Sequence, residues 1–245
     1  MPIKSAIEKI VSLSGIKTAL IGENTYATDQ LHIVHPAYHT PPTPLAFNTL
    51  EGMSGFIKED IDPDRVANEH LFIHVENYNR VALYGNIDAS NENKRFCYAV
   101  AALKTEPYEF GDRGWVDIER FVIALQSQFV RTTVVDDIIA MLGNIASEHV
   151  KTKKDDGFTQ HVQLTTGITT RSSVEVKNPI VLAPYRTFRE VAQPELNCIL
   201  RFKQINDSIA CTLFEADGGA WKLEAIKNIK NWFSQTLPVD VVVIG

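Results

Sequence analysis

The sequence predicts an α+β fold, with antiparallel or mixed sheets packed by helices. Three observations carry this. Apolar residues recur with period two in several short segments and with helical spacing in five others, so both element types are present. The two types come in blocks rather than in strict alternation. Finally, 44% apolar and 22% charged residues in a chain of 245 is an ordinary globular balance, enough to bury a sizeable core without staples.

The first helix is predicted near 5–13. Ser5 is its N-cap, Glu8 stands in capping-box position, and Ile7, Ile10 and Val11 share one face before Gly15. Segments 16–22 and 30–35 are β-like. Residues 35–44 hold four of the eleven prolines, which lack the backbone donor that a helix or central strand needs, so an ordered, extended loop is expected. Thr49 caps a helix near 49–57 with Leu50, Met53 and Phe56 along one side. Residues 70–87 form a hairpin: Leu71, Ile73 and Val75 alternate with polar or aromatic neighbours, and Asn77–Arg80 is turn chemistry. Phe96–Leu103 is nearly all apolar, a strand buried on both faces.

Residues 104–114 combine a proline, two glycines and several charges around the aromatic pair Tyr108 and Phe110. The chain is expected to be one α+β unit over 1–245, and this break is where it would subdivide into 1–104 and 111–245. A helix is predicted over 115–128 on the stripe Trp115, Ile118, Phe121, Val122 and Leu125. Another follows over 134–147, capped by Thr133 with Asp136 in capping-box position. The period then falls to two around Val162 and Leu164 and around Val174 and Val176. Residues 198–205 and 209–214 flank Asn206-Asp207, a hairpin turn. Asp217 caps the last helix, near 219–234. Trp221, Ala225, Ile226, Ile229 and Phe233 face the core, Lys222 and Lys227 face solvent, and Pro238 stops it.

The net charge is −6, concentrated in residues 1–110, which carry 9 basic and 14 acidic side chains. Duplex nucleic acid is therefore not an expected partner, because phosphate neutralisation supplies most of such affinity. Apolar runs such as Val100–Leu103 are far short of the roughly 20 residues that cross a bilayer, so no membrane partner is expected. Cys97, Cys198 and Cys211 form no CxxC and sit among apolar neighbours, which points to three unpaired thiols. With no apolar stretch of signal-peptide type at the N-terminus, a cytoplasmic location is expected.

Three groups of residues could carry chemistry. His35 and His39, with His32 and His74 as possible additions, have metal-ligand spacing only if helical, and Pro36 opposes that. The competing reading is loop histidines bonded to backbone, and no metal or other cofactor is expected. The turn Glu215-Ala-Asp217-Gly218-Gly219 precedes a helix, where glycines can cradle phosphate, although its two carboxylates would repel an anion. The competing reading is an Asp217 cap with a tight glycine turn. Arg186 and Arg189 flank Phe188 and could bind phosphate or stack on bases. They could equally pair with Glu190 and Glu195 and cover apolar surface. No catalytic constellation emerges.

Trp115 and its helical stripe, Pro179-Ile-Val-Leu-Ala-Pro-Tyr-Arg-Thr-Phe188, Leu200-Arg-Phe202 and Leu213-Phe-Glu-Ala-Asp-Gly-Gly-Ala-Trp-Lys-Leu-Glu-Ala225 together resemble the YfdQ-like proteins, a family of bacteriophages and prophages. The resemblance covers roughly residues 110–235. It implies a phage or prophage non-virion accessory protein acting in the bacterial cytoplasm, and no catalytic residue.

The resulting expectation is a non-enzymatic protein that self-associates into a homo-oligomer or binds a partner. The apolar tail Val239, Val241, Val242, Val243 and Ile244 must pair with a sheet edge, in a neighbour or in its own subunit. The alternative is a nucleotide- or nucleic-acid-metabolism enzyme or binder using Arg186, Arg189 and the turn Glu215–Gly219. A single-strand nucleic-acid accessory role is disfavoured by the acidic balance.

Overall fold

The structure, a computed structural model, describes residues 43–59, 70–87, 93–104, 107–145, 176–205, 208–238 and 241–245 with their side chains. It also describes the backbone at 18–21, 24–27, 32–35, 88, 146, 149–155, 159–166 and 169–175. The fold is α+β. The chain divides into two compact units, one of residues 1–43 with 86–96, the other of 44–85 with 97–245. Residues 104–114 lie inside the second. The predicted helix at 5–13 and most of the proline-rich loop lie outside the described residues.

In the first unit, β1 (Thr18–Ile21), β2 (Asn24–Ala27) and β3 (His32–His35) form an antiparallel sheet in that order. The larger unit begins with β4 (Leu45–Phe47) and α1 (Leu50–Lys58). Thr49 caps α1 as predicted, its hydroxyl accepting from Gly52 N at 3.1 Å, and Leu50, Met53 and Phe56 are buried. The predicted hairpin is β5 (Phe72–Asn77) and β6 (Arg80–Asp88), with Ile73 and Val75 buried and Asn77 opposite Arg80. β7 (Lys94–Ala102) follows. Its Phe96, Tyr98, Ala99 and Ala101 are buried while Cys97, Val100 and Ala102 are only half-buried, so one face is less enclosed than predicted.

A 3-10 turn at Gly111–Gly114 leads to β8 (Val116–Asp117) and α2 (Ile118–Gln128). The helix predicted from 115 therefore starts three residues later. Val116 and Asp117 pair with Cys211 and Ala210, and the Asp117 carboxylate caps α2 through Arg120 N at 2.9 Å. Trp115 is not on the helical stripe: it packs edge-on against Phe214, under the Lys203 ammonium. α3 (Thr133–Ala146) is capped by Thr132 rather than Thr133, through Val135 N at 3.3 Å. Asp136 does not close a capping box; it pairs with Arg131 at 3.0 Å.

Next come β9 (His149–Asp155), β10 (Thr159–Thr166) and β11 (Thr169–Lys177), a separate antiparallel sheet of order β11-β10-β9. β12 (Ile180–Leu182), β13 (Leu196–Ile205) and β14 (Ser208–Glu215) build, with β8, an antiparallel sheet of order β12-β13-β14-β8. Its buried side chains, Leu182, Cys198, Leu200, Phe202, Cys211 and Leu213, meet Phe121 and Leu125 of α2 and Val135, Ile138, Leu142 and Ile145 of α3. This is the main core, joined by Trp221 and Ala225 of α4 (Trp221–Thr236). α4 starts two residues later than predicted, because Gly218 and Gly219 take φ of +64° and +85°, a left-handed turn that L side chains avoid. It buries Trp221, Ala225, Ile229 and Phe233 and leaves Lys222 and Lys227 exposed, as predicted, whereas Ile226, also predicted to face the core, is only half-buried.

The tail forms β15 (Val242–Ile244), which pairs in parallel with β5 and closes the order β15-β5-β6-β7-β4. It takes the within-subunit alternative that the sequence left open. Lys230 Nζ donates to Gly245 O at 3.0 Å.

Candidate functional site

Residues 183–195 contain no long helix or strand, yet hydrogen bonds fix them. Gln193 Oε1 accepts from Arg186 N at 3.0 Å and Thr187 N at 3.2 Å, while its Nε2 donates to Phe188 O at 2.9 Å and Val191 O at 3.1 Å. The Thr187 hydroxyl donates to Tyr78 O at 2.5 Å, tying this loop to the β5–β6 turn. One side-chain amide thus satisfies four backbone groups and sets the direction of Arg186.

Arg186 is 5% exposed. Its guanidinium lies 4.0 Å from the ring centre of Phe110 and 4.6 Å from that of Trp221, and Nη2 pairs with Glu215 Oε1 at 2.5 Å. The stacking suits a delocalised, weakly hydrated cation, and the carboxylate compensates for its burial. One group is left over: Arg186 Nη1 is buried and has no hydrogen-bond partner among the described residues. Trp221 Nε1 is in the same condition. The Tyr108 hydroxyl approaches Thr212 and the Leu213 backbone but makes no well-formed hydrogen bond, and burial raises its pKa so that it stays protonated.

These residues line a cleft of about 560 Å³ within the larger unit. Tyr78, Phe110 and Trp221 supply rings, Arg113 and Lys222 supply exposed cations, and Glu109 stands with them. Tyr78 meets Trp221 edge-on at 4.8 Å. The loop bearing Phe110 is held by close contact. A Cβ on Gly114 would lie 2.1 Å from Glu109 O, and the Thr212 hydroxyl donates to Gly111 O at 2.9 Å.

The structure brings together Arg186 and Glu215 but not the other candidates. Arg189 is exposed and stacks 3.4 Å from the Tyr185 ring centre. Glu190 and Glu195 do not pair with Arg186. Asp217 turns inward: its carboxylate accepts from Gly219 N at 3.0 Å and Trp221 N at 3.2 Å, so it occupies the amide donors at the start of α4. A second, shallower depression of about 480 Å³ shares Trp221 and is lined by Glu195, Asp217 and Glu224. The side chains of His32, His35 and His39 lie outside the described residues, and His74 packs near Tyr84. Among the described residues no group of three or more His, Cys, Asp or Glu could hold a metal, and no helix is long and apolar enough to cross a membrane.

Sequence reasoning missed Gln193, Tyr78 and Arg113, and took Trp221 for core alone. Tyr108 and Phe110 were visible as an aromatic pair in a charged break, but nothing local says that Phe110 meets an arginine some 75 residues on. All three cysteines are unpaired, as expected. Burial pushes the Cys198 and Cys211 thiols up to about 12. Comparison with protein-family models, curated proteins and solved structures found no match.

Proposed function

We propose that this chain is a non-enzymatic accessory protein of phage or prophage origin that works in the host cytoplasm by binding, and that the Arg186 cleft is where it binds. The observation that carries the reading is the buried Arg186 guanidinium, held between two rings with one nitrogen unpartnered. A buried donor without an acceptor is a cost that packing alone does not require. The two segments on which the family resemblance chiefly rests, 179–188 and 213–225, both contribute to this cleft through Arg186, Glu215, Trp221 and Lys222. Its lining supplies rings, donors and cations, which is equipment for holding a ligand.

The test is a thermal-shift screen of the intact chain against nucleotides, carboxylates, sugars and divalent metals. At least one compound should raise the melting temperature. Trp221→Phe, which keeps a ring but removes the indole donor, should weaken that shift. A screen in which nothing stabilises the protein defeats the proposal.

Self-association is the second reading, and one observation favours it. Val242 and Ile244 lie on the outermost strand of their sheet, 59% and 43% exposed. An apolar edge of this kind invites pairing with another copy. A monomeric mass in light scattering defeats it. An oligomer that persists in Val242→Lys, Ile244→Lys defeats only the role of the tail.

A further inference from the structure

We infer that the cleft takes a nucleoside monophosphate whose base carries a carbonyl acceptor, a guanine or uracil nucleotide rather than an adenine one. This rests on the cleft being a binding site and adds the chemistry of the ligand. A volume of about 560 Å³ suits a ligand of this size. Of the lining rings, Tyr78 and Phe110 are half-buried and offer ring surface against which any base can stack, whereas Trp221 is buried under the Arg186 guanidinium. Two residues of the lining, Arg186 and Trp221, each keep a buried polar atom without a partner among the described residues, Nη1 and Nε1, and both are donors. They match an edge that presents acceptors, as guanine presents O6 and N7 to an arginine, whereas adenine sets its exocyclic amine against them.

The charges divide the same way. Arg186 is already paired with Glu215, so it discriminates by hydrogen bonding rather than by net charge. Arg113 and Lys222 are exposed and form no ion pair among the described residues, and they are the cations left for a phosphate. Glu109 beside them opposes a bare phosphate that gains nothing from stacking. Neither buried nitrogen is open to solvent, so the base reaches them only by displacing side chains that cover them.

Isothermal titration of the full chain with GMP, UMP, AMP, guanosine and inorganic phosphate tests this. GMP or UMP should bind about tenfold or more tighter than AMP. Guanosine should bind about tenfold more weakly than GMP, and phosphate alone should give no saturable heat. The double variant Arg113→Ala, Lys222→Ala, at two exposed positions, should abolish the advantage of GMP over guanosine. Equal or tighter binding of AMP overturns the assignment of the base. Phosphate binding as tight as GMP overturns the stacking role. Nucleotides that fail to bind, while another compound still stabilises the protein in a Trp221-dependent way, overturn this inference and leave the cleft a binding site.

Discussion

Glu190 caps a helix that begins 140 residues before it. Its Oε1 accepts from Leu50 N at 2.7 Å and from Glu51 N at 3.3 Å. With Thr49 accepting from Gly52 N, three of the amides that a helix start leaves unpaired are satisfied, two of them by a distant loop. The negative charge also sits at the positive end of the α1 dipole. The loop that carries Arg186 is thereby anchored at two points, by Glu190 on α1 and by Thr187 on the β5–β6 turn.

Removing that cap should be measurable. Glu190→Ala is expected to cost about 1 kcal/mol, the usual loss for an N-cap. Glu190→Gln, which keeps an acceptor and loses the charge, should cost less. Urea unfolding of the three proteins checks the order, and identical midpoints would show that the contact does not stabilise.

The face of α4 provides a second test. Trp221 is 6% exposed and joins the main core, whereas Leu223, two residues on, is 73% exposed. Trp221→Ala should therefore cost about 3–5 kcal/mol, as large aromatic truncations in cores do. Leu223→Ala should change stability by less than about 0.5 kcal/mol. A loss below about 1 kcal/mol for Trp221→Ala would mean that its ring is wall and not core.

The sequence discloses elements whose signal is local and hides those that tertiary pairing decides. The stripe Leu50, Met53, Phe56 and the alternation of Ile73 and Val75 survive intact, because each follows from the period of one segment. The start of α2 does not. Trp115 fits the helical stripe, but Val116 and Asp117 take their hydrogen bonds from β14, a partner about a hundred residues away. The site divides likewise. Arg186 and Glu215 were visible as charges beside turns and aromatics. That they meet, and that Asp217 caps α4 instead of facing a ligand, depends on how β14 and the 183–195 loop are placed. Gln193 gives no local signal at all, since its role is to satisfy backbone that a loop leaves unpaired.

Cys198 and Cys211 should make stability fall in alkali. Burial raises both thiols from 9.0 to about 12 in the folded protein, so the folded state holds its protons longer than the unfolded state does. Their contribution is complete below about pH 9 and is lost as pH rises from there towards 12. The slope should approach about 1.4 kcal/mol per pH unit for each thiol. Denaturant titrations at pH 8, 9.5 and 10.5 measure it, and Cys198→Ala should flatten the decline. Native alkylation at pH 8 should spare both cysteines, whereas denatured protein should label three. Rapid labelling of Cys198 in the native state would contradict its burial.

The Arg186–Glu215 pair should respond unequally to removal of its two halves. Arg186 is 5% exposed and the Glu215 side chain 35%, so the partners lose different amounts of hydration if left alone. Breaking a fully buried pair costs about 3–5 kcal/mol, chiefly because a charge remains buried without compensation. Glu215→Ala leaves the arginine in that position, between Phe110 and Trp221, and should fall just below that range, at about 2–3 kcal/mol, because Glu215 itself gave up only part of its water. Arg186→Met leaves the carboxylate, which can hydrate, and keeps an apolar stem between the rings, so it should cost less. The informative protein is the double variant. Replacing a buried ion pair by apolar groups of similar volume is often neutral, so adding Arg186→Met to Glu215→Ala should restore stability relative to Glu215→Ala alone. Unfolding free energies of the four proteins close the cycle. A double variant less stable than Glu215→Ala would show that the guanidinium stabilises the fold through its rings even when its charge is unpaired.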